Sequence, residues 1–176
     1  MSLPHALLIA LIEEPGSGLE LSERFDRSIG DYWHATHQQI YRELARMEAA
    51  DWVEAKPVES ARGGKKIYRV NAAGRRELRR WTGKAQDIEP YRSQLMVRMR
   101  AEATLGLRVL EAEIEQRLAS HRARLAKYQE IEQLEFSQPK RSRSEAITYL
   151  ILKKGMMNEA TWIDWSLEAL RVLRKQ

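Results

Sequence analysis

Apolar residues recur at steps of three and four along most of this chain, and the interruptions divide it into short helices followed by long ones. Leu3 to Ile12 (LPHALLIALI) is apolar nearly all round, which predicts a first helix buried on several sides and broken by Glu14-Pro15-Gly16. Ser17 with Glu20 three residues on forms a capping box and predicts a second helix. Its stripe is Leu21, Phe25 and Ile29, with Leu19 at the edge and Gly30 as the stop. Thr36 with Gln39 is another capping box, so a third helix starts near His37. Ile40, Leu44 and Met47 are its apolar stripe. The other face offers Gln38, Tyr41, Arg42, Ala45 and Arg46, which carry hydrogen-bonding groups and positive charge with little bulk.

After Ala50 the period shortens. Trp52 to Val58 and Lys66 to Val70 are β-branched and aromatic with partial alternation, and the segment between them holds Gly63-Gly64. This pattern predicts a β-hairpin whose tip carries Arg62, Gly63, Gly64, Lys65 and Lys66. Asn71 then caps a fourth helix bearing Arg75, Arg76, Arg79 and Arg80, with Leu78 and Trp81 as apolar anchors. A linker is expected near Asp87–Pro90. Tyr91 to Arg100 predicts a short helix with Leu95, Met96 and Met99 on its apolar side. A long helix is expected from Thr104, because Leu107, Leu110, Ile114, Leu118, His121, Leu125 and Tyr128 recur at helical steps, and it should end near Phe136 to Pro139. Ser142 with Glu145 opens a last helix to about Arg174. That helix has two apolar stripes: Tyr149, Leu152, Met156, Ile163, Leu167 and Leu170 on one side, and Leu150, Met157, Trp165 and Val172 on another. One partner helix cannot cover both, so a second subunit or a ligand is expected on the remaining face.

The 176 residues, 43% hydrophobic and 31% charged, fit one or two small domains. The absence of cysteine excludes disulfides, thiol catalysis and cysteine-based zinc sites. No apolar run is long enough for a membrane span, and Pro4 and His5 interrupt the first one, so a cytoplasmic protein without a membrane partner is expected. The net charge of +5 is unevenly spread. Residues 1–33 carry a net of −4, and residues 34–84 carry twelve Lys or Arg against six acids, a net of +6. Positive charge therefore begins where the third helix begins, which favours a polyanionic partner.

Three short helices followed by a basic two-stranded hairpin is the order of a winged helix-turn-helix. The expected fold is mainly α: residues 1–85 form a winged helix with a two-stranded β wing, and residues 86–176 form an all-α dimerisation domain of long helices. The segments PHALLIALIEEPGSGLELSERF, YWHATHQQIYRELARMEAADWVEA and GGKKIYRVNAAGRREL resemble those of PadR-type transcriptional regulators. The resemblance covers about residues 1–82. It implies operator-DNA binding by a homodimer, usually with repression of transcription. The chain departs from many relatives at Ala35-Thr36-His37. The second half is similar, by architecture alone, to the C-terminal arm of relatives with extended tails, including the virulence-gene activators.

For double-stranded DNA, the candidate contacts are His37, Gln38, Tyr41, Arg42 and Arg46 on the third helix and Arg62, Gly63, Gly64, Lys65 and Lys66 on the wing. Gln38 is favoured over Gln39 for a base edge, because Gln39 closes the capping box. The wing residues suit phosphate or the minor groove, while the Arg75–Arg80 cluster stands between a solvated face and a contact. Trp162 and Trp165 read first as dimer packing and second as the lining for a small aromatic effector. His121 lies on an apolar seam and reads as an interface residue that could titrate. Asp31, His34 and His37 are rejected as a metal site, because Thr36 caps the helix and leaves the first two outside it. No cofactor is called for, no catalytic arrangement stands out, and an enzyme is not expected. The competing reading is a helical ligand- or protein-binding module whose winged helix mediates protein contacts.

Overall fold

The computed structural model of the chain describes residues 3–27, 35–58, 65–87 and 90–175. Ile29, Gly30, Asp31, Trp33, His34, Arg62, Gly63 and Gly64 therefore lie outside the described residues. The chain forms two compact units, residues 1–88 and 89–176.

The first unit is a winged helix. Helix α1 (Leu3–Glu13) buries His5, Leu7, Leu8, Ala10 and Leu11, as a segment apolar on most sides must. Helix α2 (Gly18–Arg27) starts at the capping box: Ser17 N–H donates to Glu20 Oε2 at 2.8 Å, and Glu20 N–H donates to Ser17 Oγ at 3.3 Å. Leu21 and Phe25 are fully buried, whereas Leu19 is exposed. Helix α3 (His37–Ala49) follows, and Asp51, at φ 57, turns the chain out of it. Strands β1 (Val53–Pro57) and β2 (Lys66–Val70) pair antiparallel, from Val53 opposite Val70 to Pro57 opposite Lys66. Gly16, in the turn before α2, adds a bridge to Tyr68 through two backbone hydrogen bonds of 3.3 and 2.9 Å. Helix α4 (Ala72–Thr82) is capped by Asn71, whose Oδ1 accepts from Gly74 N–H at 3.0 Å. One core joins these elements: Leu7, Leu8 and Leu11 of α1, Leu21 and Phe25 of α2, Ile40, Leu44 and Met47 of α3, and Val53 of β1.

The second unit is helical. Helix α5 (Gln94–Leu105) begins at Ser93, whose Oγ accepts from Met96 N–H, so Tyr91 lies outside the helix and is exposed. Helices α6 (Glu111–Glu135) and α7 (Arg143–Leu173) run antiparallel, tied near one end by Tyr149 to Glu132 at 2.6 Å and near the other by Arg174 to Glu111 at 2.6 Å. The Ser142–Glu145 capping box opens α7 as its sequence predicts.

The long helix expected from Thr104 is interrupted. Helix α5 runs on to Leu105, Gly106 ends it in the left-handed region at φ 65, and α6 starts only at Glu111. Leu107, counted as a seam residue, is exposed in the connection, while Leu110 is buried. The break is stabilised from a distance: the buried Glu102 carboxylate accepts from both Val109 N–H and Leu110 N–H at 3.0 Å. It satisfies donors at the start of α6 that have no partner within that helix.

The two stripes of α7 have different surroundings. Leu170 is buried, and Tyr149, Leu152, Met156 and Ile163 are half-buried, with Leu167 at the margin. Of the second stripe, Leu150, Met157 and Val172 are about 60% exposed, with Ile147 and Ile151 adding to that apolar surface, whereas Trp165 is half-buried and packs on the core. Among the described residues no helix is long and apolar enough to cross a membrane.

Candidate nucleic-acid interface

Helix α3 is held at both ends and along one side. At its start Thr36 N–H donates to Gln39 Oε1 at 2.8 Å, and Gln39 N–H donates to Thr36 Oγ1 at 3.2 Å. The Gln39 side chain is thus committed to the helix start. Ile40, Leu44 and Met47 are at most 1% exposed, which fixes the helix against α1 and α2. The opposite face presents His37, Gln38, Tyr41, Arg42 and Arg46, all exposed. Arg46 makes an i,i−3 ion pair with Glu43 at 3.1 Å. Because Gly18 has no Cβ, the Tyr41 ring lies over the start of α2; a methyl group at that position would sit 2.4 Å from the ring. The Tyr41 ring therefore packs on a neighbouring helix rather than in the core.

The wing meets this face through its base. Lys65 is exposed, yet its Nζ donates to Glu20 Oε1 at 2.8 Å. Lys65, together with the Ser17 backbone N–H and hydroxyl, holds the Glu20 carboxyl at a pKa of about 2. Lys66 Nζ lies 3.6 Å from Glu48 Oε1 on α3. Both lysines expected to face a polyanion are thus placed on acids of the helical body. Glu20 was assigned only to capping by the sequence, since nothing local couples it to a residue 45 positions away. Arg69 is a further exposed base on β2, passed over in the hairpin pattern although its position alternates with inward-facing Tyr68 and Val70.

On α4, Arg75, Arg76, Arg79 and Arg80 all lie on the exposed side. Glu77 turns inward, between Arg80 at 2.7 Å and His5 Nε2 at 3.1 Å. Arg80, then His5, lowers its carboxyl to about 2. The His5 ring stacks on Trp81 at 4.3 Å and 11°, which with the Glu77 contact clasps α1 to α4.

In the second unit, Trp162 stacks on His121 at 5.2 Å and 3°, and Trp165 meets Trp162 edge-on at 5.3 Å. Both tryptophans pack on the core of Leu95, Ile114, Leu118, Ala169 and Leu170. Only Trp162 also borders the open groove beside α6, with Gln116, Arg117, Ser120, His121 and Arg124. His121 is buried on α6 with Nδ1 2.5 Å from Glu159 Oε2 of α7, so its contact is within the chain. Among the described residues no group of three His, Cys, Asp or Glu could hold a metal ion.

Known proteins share both halves of this arrangement. The PadR-like transcriptional regulator family model matches residues 7–80, and the virulence activator α C-terminal model matches residues 91–174. The probable transcriptional regulator Rv1176c of Mycobacterium tuberculosis is 36% identical over the full length of both chains. The chain belongs to the PadR-like family. Another member, the negative transcriptional regulator PadR of Bacillus subtilis, is 24% identical over 98% of each chain. That protein has been solved in complex with operator DNA (TM-score 0.81, covering 98% of this chain and 99% of that one) and with p-coumaric acid (TM-score 0.76, 99% and 100%). The Vibrio cholerae virulence activator AphA has the same fold, at 27% identity, TM-score 0.80 and 98% coverage of each chain. This PadR-like chain therefore shares its fold with solved regulators along nearly its whole length.

Proposed function

We propose that this PadR-like protein is a sequence-specific DNA-binding repressor of transcription that acts as a homodimer on an inverted-repeat operator. The observation that carries the reading is α3: three fully buried apolar residues hold it, and an unbroken face of Gln38, Tyr41, Arg42 and Arg46 is left to solvent beside a basic wing. Gln38 hydrogen-bonds a base edge in the major groove, adenine being the base its amide matches in two places. His37, Tyr41, Arg42 and Arg46 contact bases or phosphates around it, and Arg62, Gly63, Gly64, Lys65 and Lys66 bring the wing to the backbone. The operator complex of B. subtilis PadR supports DNA as the partner, and the name of that relative supports repression.

The exposed stripe of Ile147, Leu150, Ile151 and Met157 supports a second copy as the partner of α7, since apolar surface of this extent calls for cover. Two subunits so joined would set their α3 helices about 34 Å apart, one turn of the duplex. A small aromatic effector is the class of signal supported by the p-coumaric acid complex of B. subtilis PadR. Trp162, stacked on His121 at the edge of the α6 groove, offers an aromatic surface for it, with Trp165 behind. Such an effector shifts operator occupancy by the difference in its affinity for the two subunit separations.

The test is binding to duplex DNA as a function of salt. Log K should fall against log salt with a slope of about −0.9 per phosphate contact. Binding that ignores salt, or no binding, would overturn the reading in favour of a module for protein contacts.

A further inference from the structure

Two lysines at the base of the wing face acids on the body of the same unit, and the two pairs are not equivalent. Lys66 stands 3.6 Å from Glu48, a distance at which the groups attract without a hydrogen bond. Lys65 makes a hydrogen-bonded ion pair at 2.8 Å with Glu20, a residue whose other carboxylate oxygen is fixed by the Ser17 N–H at 2.8 Å. Glu20 is therefore a preset acceptor rather than a mobile surface acid. The wing strand is brought to it by the backbone bridge between Gly16 and Tyr68, four residues before Glu20 and three after Lys65. The geometry of the pair is thus built by the fold, through a turn and a strand, and not by a chance meeting of two long side chains.

A lysine ammonium has three donors on a single charge, and a phosphate and a carboxylate compete for it. We propose that Glu20 sets the DNA affinity of the wing: it holds Lys65 on the protein, so that a backbone phosphate must displace a carboxylate to gain this contact. A contact made by exchange contributes less than one made by a free ammonium. It also releases fewer ions net, because the freed carboxylate is rehydrated and attracts a cation. The consequence falls on sequence-independent binding, where phosphate contacts supply nearly all the affinity. Where α3 docks on matching bases, the register it imposes brings a phosphate to Lys65 and completes the exchange. Glu20 thereby raises the ratio of specific to non-specific binding by penalising the second more than the first, which is discrimination by an unfavourable element.

This inference rests on the DNA-binding reading, and the experiment separates the two. Full-length wild type, Glu20→Gln, Lys65→Ala and the double variant are titrated with a mixed-sequence duplex over a range of salt. Glutamine is accepted at this position of a capping box, so α2 keeps its start while the charge is lost. Glu20→Gln is expected to bind the mixed-sequence duplex about fivefold more tightly, the scale of one exposed ion pair. Its slope of log K against log salt should be steeper by up to about 0.9. In the Lys65→Ala background the same substitution should change neither quantity. A Glu20→Gln gain that survives the loss of Lys65 would mean that Glu20 repels phosphate directly, and the proposal would fail. Weaker binding by Glu20→Gln would instead make Glu20 an aid that positions Lys65, which also overturns it. If wild type itself shows no salt-dependent binding, it is the DNA reading that fails.

Discussion

Gln38 and Gln39 are neighbours on α3 with opposite duties. Gln39 spends its side-chain oxygen on the Thr36 N–H, while Gln38 keeps its amide on the exposed face. Gln38→Ala should therefore relax the preference at one base position, by about 1–3 kcal/mol of discrimination, whereas Lys66→Ala on the wing should weaken all duplexes about equally and make the salt slope shallower by about 1. Titrating both variants against matched and mismatched duplexes decides this, and the same uniform loss in each would contradict the division of labour. The capping of α3 was legible because Thr36 and Gln39 are three residues apart and depend only on each other. The pairing of Lys65 with Glu20 was not, since it depends on a turn and a strand meeting across 45 residues. Tyr41 is an intermediate case: its exposure followed from the period, but its seat over Gly18 is a tertiary contact. The apolar neighbours of His121 are legible in the sequence, but its contact with Glu159 on α7 joins residues 38 positions apart and is not.

At the level of elements, periodicity found every helix among the described residues but misplaced both ends of α5 and the start of α6. The apolar series through Leu107 and Leu110 continues numerically from Thr104, so counting alone ends α5 at Arg100 and starts α6 too early. Gly106, in a backbone conformation that costs other residues about 1–2 kcal/mol, marks the actual end. The start of α6 carries no local cap, because Glu102 supplies one from the preceding helix. Helix α7 shows the complementary case, in which the sequence revealed an unmet need. Its second stripe was legible as surplus apolar surface, and the structure leaves Leu150 and Met157 about 60% exposed. Leu150→Glu with Met157→Glu should leave the helix content unchanged and convert the protein to a monomer in sedimentation. Burying one such side chain is worth about 1.5–3 kcal/mol, and a two-fold interface counts each twice, so the dimer constant should weaken by more than about a hundredfold. An unaltered dimer would remove this stripe from the subunit interface.

The whole molecule divides its work between two units with separate cores. The first, residues 1–88, carries the polar face of α3 and the wing; the second, residues 89–176, carries the long helices and their uncovered stripe. Within the first, positive charge is gathered in residues 34–84, with a net of +6 against −4 in residues 1–33, and apolar surface is concentrated in the second. That separation suits a protein that meets a polyanion with one unit and its own copy with the other. The division follows from local signals, because charge and apolar stripes can be counted along the chain. The identity of the bases does not, since it depends on how α3 lies in the groove. The claim that joins both units is that two α3 helices read one duplex symmetrically, and selection of bound sites from random duplex DNA by the full chain tests it most directly. The recovered sites should form an inverted repeat with half-site centres about 34–36 Å apart or a multiple of that. A pool with no enrichment, or enrichment of single half-sites without a symmetric partner, would contradict it.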